Sequence, residues 1–171
     1  MAAWLKMICI FVLLAVTACE PAAPPTHTDL SFGGEAWNME LAIGEAAIER
    51  GLMGREMIPP GTGMIFLFED NRVHQFWMGH CLTDMDLVFV DGLGRITAVH
   101  EMVAEAPQEP GESEFAYHQR LAQYSSVFPV RVALEFPTGT IKRLGLAPGQ
   151  ATPLDIRALD DLRDRVTAAR R

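Results

Sequence analysis

The chain has 171 residues and a formal charge of −8. That length holds one ordinary domain together with a leader or tether. The acidic balance repels nucleic acid and anionic lipid headgroups, so neither is an expected partner.

The amino-terminal residues read MAAWLKMICIFVLLAVTAC. Lys6 supplies a positive start, Met7 to Ala15 an apolar stretch, and Val16-Thr17-Ala18 small residues ahead of Cys19. This is the order of a secretory signal peptide, and the Cys at the cut makes it the lipoprotein kind. The apolar run is shorter than the roughly 20 residues of a membrane span. Residues 1–18 are therefore expected to be removed and Cys19 to be lipidated. Two or three acyl chains exceed the threshold for stable anchoring. The expected location is the cell envelope, facing the periplasm. Glu20, in place of an Asp associated with inner-membrane retention, favours the outer membrane. Residues 19–29 contain EPAAPPTHTD, a Pro-rich tether without large apolar side chains. The only expected membrane contact is the lipid.

Residues 30–153 carry the domain. Trp37 to Ile43 predicts a strand, and Glu45 to Met53 a short helix punctuated by Gly51 and Gly54. Pro59-Pro60-Gly61-Thr62-Gly63 is a turn cluster. Met64 to Phe68 is an unbroken apolar run, suited to a strand covered on both faces. Glu69 to Arg72 turns, and Val73 to Met78 returns. Leu87 to Val90 is a further buried run, and Asp91-Gly92-Leu93-Gly94 turns into a strand over Arg95 to His100. Ser113 caps a predicted helix from Glu114 to Gln123, with Phe115, His118 and Leu121-Ala122 toward the domain. Val130 to Phe136 alternates, placing Val130, Val132, Leu134 and Phe136 on one face and Arg131, Ala133 and Glu135 on the other. Residues 154–171 predict an amphipathic helix with Leu159, Leu162 and Val166 on one stripe, packed on its own domain. Many short strands separated by turn signals predict a mainly β fold, a two-sheet sandwich or distorted barrel with short helices.

Gly51-Leu52-Met53-Gly54-Arg55, Gly63-Met64-Ile65-Phe66, Phe76-Trp77-Met78, Asp86 and Phe89-Val90-Asp91 form an ordered series. From about Met39 to Pro153 it resembles the domain of unknown function 192 family. The resemblance implies a mainly β, jelly-roll-like fold and no established biochemical activity. His80-Cys81 stands where the family has Asn-Thr, and Asp84-Met85 where it has Pro-Leu. Glu135 matches the family's later Glu, whereas Gly149-Gln150 replaces its Gly-Asp.

The chemistry-bearing residues concentrate between His74 and Asp86. With Cys9 in the leader and Cys19 lipidated, Cys81 has no partner for a disulfide. As a nucleophile it would need His74, His80 or His100 as base and Asp84 or Asp86 to orient it. His74, His80, Cys81, Asp84 and Asp86 are also metal-ligand types, but their spacing matches no closed zinc site, and adjacent His80 and Cys81 would point apart on a strand. A buried thiol behaving as a small apolar side chain is the simpler expectation. Arg55 and Trp77, a bidentate fork and a flat stacking face, suit ligand binding, with His80 and Asp86 as polar neighbours. The alternative for Arg55 is an ion pair that fixes a loop. The sequence thus predicts a non-catalytic binding domain with no cofactor, whose partner is a small molecule, a carbohydrate or an envelope protein. A Cys/His or metal-dependent hydrolase and a structural partner of envelope machinery are the alternatives.

Overall fold

A computed structural model describes residues 23–171. The signal sequence and Cys19 lie outside the described residues. The core is a six-stranded mixed sheet in the order β1-β2-β3-β8-β5-β6. Its strands are β1 (His27–Phe32), β2 (Glu35–Ala42), β3 (Thr62–Arg72), β5 (Met85–Val90), β6 (Ile96–Met102) and β8 (Val130–Pro137). A ribbon of β4 (Gln75–Phe76) and β7 (Tyr124–Ser125) forms a second, two-stranded sheet. Four helices complete the domain: α1 (Glu45–Arg50), α2 (Glu114–Arg120), α3 (Thr140–Leu144) and α4 (Ile156–Ala169). The fold is mainly β with short helices and a carboxy-terminal helix, as expected. The barrel alternative is not adopted: the described sheet is open, with β1 and β6 at its edges.

All neighbouring pairs in the large sheet are antiparallel except β2 and β3, which run parallel. A parallel pair needs a crossover, and α1 with the following loop supplies it. At the centre, β8 lies between two apolar runs, β3 on one side and β5 on the other. The register is tight there. A Cβ on Gly63 would stand 2.2 Å from the Glu135 carbonyl oxygen and 2.9 Å from the Met39 Cε, so only glycine fits.

Each face of the sheet has its own apolar cluster. One joins Trp37, Met39, Ile65, Val88, Val132, Leu134, Phe136, Ile141 of α3 and Val166 of α4. The other joins Leu52, Ile58, Phe66, Phe68, Met78, Cys81, Leu87, Phe89 and Ala133, with Ile48 of α1 and Phe76 and Tyr124 of the ribbon against it. Asp155 caps α4 by accepting from the Ala158 N–H at 3.1 Å. Asp160 then ties α4 to the sheet, accepting from both Arg131 and Arg163 at 2.6 Å, while Arg163 also donates to the Phe68 carbonyl.

Several local expectations need correction. His27 to Asp29 are not tether but part of β1, because their backbone pairs along β2 from Glu40 to Asn38. Glu69 to Arg72 does not turn: β3 continues to Arg72 through an irregularity after Leu67. Only Gln75 and Phe76 of the Val73–Met78 segment are strand. Val130 packs with the Phe66 cluster instead of the Leu134 cluster, and its neighbour Arg131 reaches Asp160 on α4. In α2, Tyr117 faces inward and Phe115 is 75% exposed. The Ser113 cap forms as expected, accepting from the Ala116 N–H.

Candidate functional site

The crossover from β2 to β3 and the segment after β4 meet over the Phe66 face of the sheet. Two hydrogen bonds of the His80 backbone tie this segment to the loop after α1 and to α2. The Gly54 N–H donates to the His80 carbonyl at 2.9 Å, and the His80 N–H donates to the Tyr117 hydroxyl at 2.8 Å. His80 adopts a left-handed φ of 56° to do so, a conformation His tolerates better than most residues. Its side chain is exposed and tilts against the Tyr117 ring, 4.8 Å between centroids.

Beneath these loops is an inner cavity of about 70 Å³ lined by Ile48, Gly51, Phe66, Trp77, Cys81 and Glu135, with others of α1 and β4. Ile48, Glu49, Gln75, Phe76 and Trp77 also line a broader groove of about 770 Å³. The indole of Trp77 is half-buried at this shared wall. Gly51, with φ 43° and ψ −132°, turns the chain out of α1. A methyl there would lie 3.8 Å from the Glu135 Oε2, so the missing side chain leaves the carboxyl uncovered.

Glu135 is the unusual member. It sits on the central strand at 5% exposure, and its Oε2 has no hydrogen-bond partner among the described residues. Burial pushes its carboxyl up from the ordinary 4.5 to about 8, because a desolvated carboxylate without a counter-charge is costly. At neutral pH it is therefore mainly a carboxylic acid. The Trp77 Nε1 is likewise buried without an acceptor. It lies near Gly79, where a Cβ would come within 3.3 Å of it.

Cys81 is buried in the same wall, and its thiol is pushed up to about 12, first by burial and then by the neighbouring Glu135 charge. A thiol held protonated is a poor nucleophile. No histidine lines this inner cavity. His74 stacks on Phe68 at 3.7 Å and bonds Asp70 at 2.9 Å, and burial foremost lowers its pKa. The His100 Nε2 contacts the Ser125 carbonyl at 2.8 Å. Asp84 accepts from the Ala104 N–H. Among the described residues no group of three or more His, Cys, Asp or Glu side chains is arranged to hold a metal ion.

The sequence-predicted set does not converge on one cavity. Trp77 lines the site, while His80 contributes its backbone to the loops above it. Arg55 forms a bidentate ion pair with Glu40 at 2.6 and 2.7 Å, fixing the loop after α1 onto β2. Asp86 faces the other way. Its flanking residues Met85 and Leu87 belong to the Phe66 face, so its own side chain emerges on the face of α3. There its Oδ2 accepts from the Ile141 N–H at 2.6 Å. Burial raises its pKa, opposed by backbone N–H groups at the start of α3. Glu135 was not among the predicted site residues, because in Val130 to Phe136 it sits on what reads as the polar, outward face. Two signals were available: the match of Glu135 to the family's later Glu, and the unbroken apolar runs of β3 and β5, since a strand between two such neighbours is covered on both faces.

Among solved structures, a Sinorhizobium meliloti 1021 protein named as a candidate transcription regulator is 33% identical, with a TM-score of 0.56 over 69% of this chain and 81% of that one. A Novosphingobium aromaticivorans DSM 12444 protein of unknown function shares the fold, with 24% identity and a TM-score of 0.63 over 80% of this chain and 94% of that one. No curated protein matches the chain. The model of the DUF192 family, described as an uncharacterized ACR, matches residues 28–154, which is most of the chain and includes every cavity-lining residue named above, and the chain belongs to that family.

Proposed function

We propose that this is a cell-envelope lipoprotein, anchored through Cys19, whose β domain binds a small polar ligand between Trp77 and Glu135 without transforming it. The observation that carries the reading is the Glu135 Oε2, a polar atom buried in a cavity without a partner among the described residues. Unsatisfied buried polar atoms are uncommon because each costs about 1–3 kcal/mol. A ligand that supplied the missing hydrogen bond would recover that cost. The half-buried Trp77 offers it an aromatic wall, and the adjoining groove an entrance. The protonated thiol and the lack of a histidine among the residues that line its cavity weigh against a Cys/His hydrolase. The regulator named above does not carry a nucleic-acid role to this chain, whose net charge is −8. No helix among the described residues is long and apolar enough to cross a membrane.

A thermal-shift panel of monosaccharides, amino acids and short amines tests the binding role on the full chain. A binder present at 100 times its Kd stabilises by about 2.7 kcal/mol, which raises Tm measurably. At least one compound is expected to do so, and the shift should disappear in Trp77→Ala. If no compound shifts Tm, or Trp77→Ala responds unchanged, the ligand reading fails. Fatty-acid labelling should mark the wild-type chain and not Cys19→Ala; a wild-type chain that takes up no label would remove the lipid anchor.

A further inference from the structure

The ligand-binding reading leaves the class of ligand open, and the surroundings of Glu135 narrow it. The following rests on that reading. The free atom is a carboxyl oxygen in an apolar pocket, 5% exposed at the residue and without a cation against it. Two other ionisable groups from α1, Glu49 and Arg50, line the same cavity, as does Cys81 from the loop. The groove leading inward adds Glu45, Glu69, Asp70, Arg72 and His74. Asp70 is spent on Arg72 and His74. Glu45, Glu49 and Glu69 have no ion-pair partner among the described residues. The entrance is therefore lined by these carboxylates, and Arg50, likewise unpaired among the described residues, is the one opposing charge on the inner cavity.

An anion entering this groove would meet those carboxylates and then Glu135. A neutral hydroxyl could bond Glu135 but would gain nothing from the charges outside. A cation is attracted at the entrance and matched at the floor. Trp77 lines the same cavity, and an indole ring attracts a cation held within about 6 Å of its face. The inner space of about 70 Å³ limits what can enter to a compact head. Gly51 keeps the approach to Oε2 clear.

We propose that the inner cavity receives a compact primary ammonium group, seated between Glu135 and Trp77, with the remainder of the ligand lying in the acidic groove. The amine arrives already protonated. Below about pH 8 Glu135 gives its carboxyl proton to solvent as the ion pair forms, so up to one proton is released per ligand and that O–H bond is the only bond broken.

The test uses ethylammonium chloride and, as its uncharged counterpart, ethanol, titrated into the full chain with the Trp77 indole N–H followed by NMR. Ethylammonium stays protonated throughout pH 6 to 9. Because binding must displace a proton from Glu135, its Kd should tighten about tenfold per pH unit from pH 6 and level off above about pH 8. Glu135→Gln should flatten that profile and weaken binding at least about tenfold at pH 8. Should this variant fail to fold, the wild-type pH profile decides alone. If ethanol binds as well as ethylammonium, or if the ethylammonium Kd is independent of pH, the ammonium assignment is overturned while the ligand-binding reading stands. If neither compound perturbs the Trp77 signal but another member of the thermal-shift panel binds, the ammonium assignment again falls alone. If nothing binds by either method, both fail together.

Discussion

Glu135 and Cys81 show how one placement changes the chemistry of two side chains. Both line one small cavity, and desolvation acts on each in the same direction, toward the protonated form. For Glu135 this makes an acid that can still ionise near neutrality if a cation arrives. For Cys81 it makes a thiol held protonated and therefore a poor nucleophile. The consequence is measurable. At pH 8 iodoacetamide should modify Cys81 at least about tenfold more slowly in the folded chain than after denaturation, as peptide mapping would record. Fast modification of Cys81 in the folded state would show a thiolate that the cavity does not suppress. The sequence already pointed to Trp77 and to the simpler reading of Cys81 as a small buried side chain. It could not separate Arg55 the ligand fork from Arg55 the loop clamp, because its partner Glu40 is 15 positions away and is brought close only by the crossover.

At the scale of elements, most of the sheet was legible. The Met64–Phe68 and Leu87–Val90 runs are the centres of β3 and β5, and Val130 to Phe136 is β8. The helix over 154–171 is α4, capped by Asp155 and packed through Val166 on its own domain. What failed was local. β1 is an exposed edge strand whose pairing comes from β2, not from its own apolar content. The two-residue strands β4 and β7 are held by the ribbon they form and leave almost no periodicity to read. Asp86 failed for a different reason. Its strand was expected, but which face it occupies depends on the register of Met85 and Leu87 against β6 and β8. Its bond to the Ile141 N–H makes it the support for the start of α3. Asp86→Ala should therefore destabilise the chain by about 1–3 kcal/mol in urea unfolding. Ligand affinity at the Trp77 cavity should stay within about twofold of wild type. Loss of binding with unchanged stability would place Asp86 in the binding site after all.

The described domain is built on one large sheet with two differently used faces. Helices α3 and α4 close one face with a continuous apolar cluster. The other is covered by α1, its following loop and the β4–β7 ribbon, a thinner layer that leaves a cavity over β8. The family resemblance anticipated a mainly β domain, and the sequence pattern anticipated its central strands. Neither revealed that the second layer is a patchwork, because its contacts come from segments with weak individual signals. That patchwork explains how a carboxyl on a central strand can be buried yet uncovered by any partner.

The central claim is that Glu135 is a buried acid without a partner among the described residues, and pH-dependent stability tests it directly. Folded Glu135 keeps its proton to about pH 8, whereas the ordinary carboxyl releases it near 4.5. Between those values the folded state binds the extra proton, so stability falls as pH rises through the window and levels off above it. The measurement is urea unfolding of the full chain and of Glu135→Gln from pH 4 to 9, read as the difference between the two. Wild type should lose stability relative to Glu135→Gln across pH 4.5 to 8, by on the order of a few kcal/mol. A difference that stays constant across that window would mean that Glu135 titrates as an ordinary, solvated carboxyl, and would contradict the account.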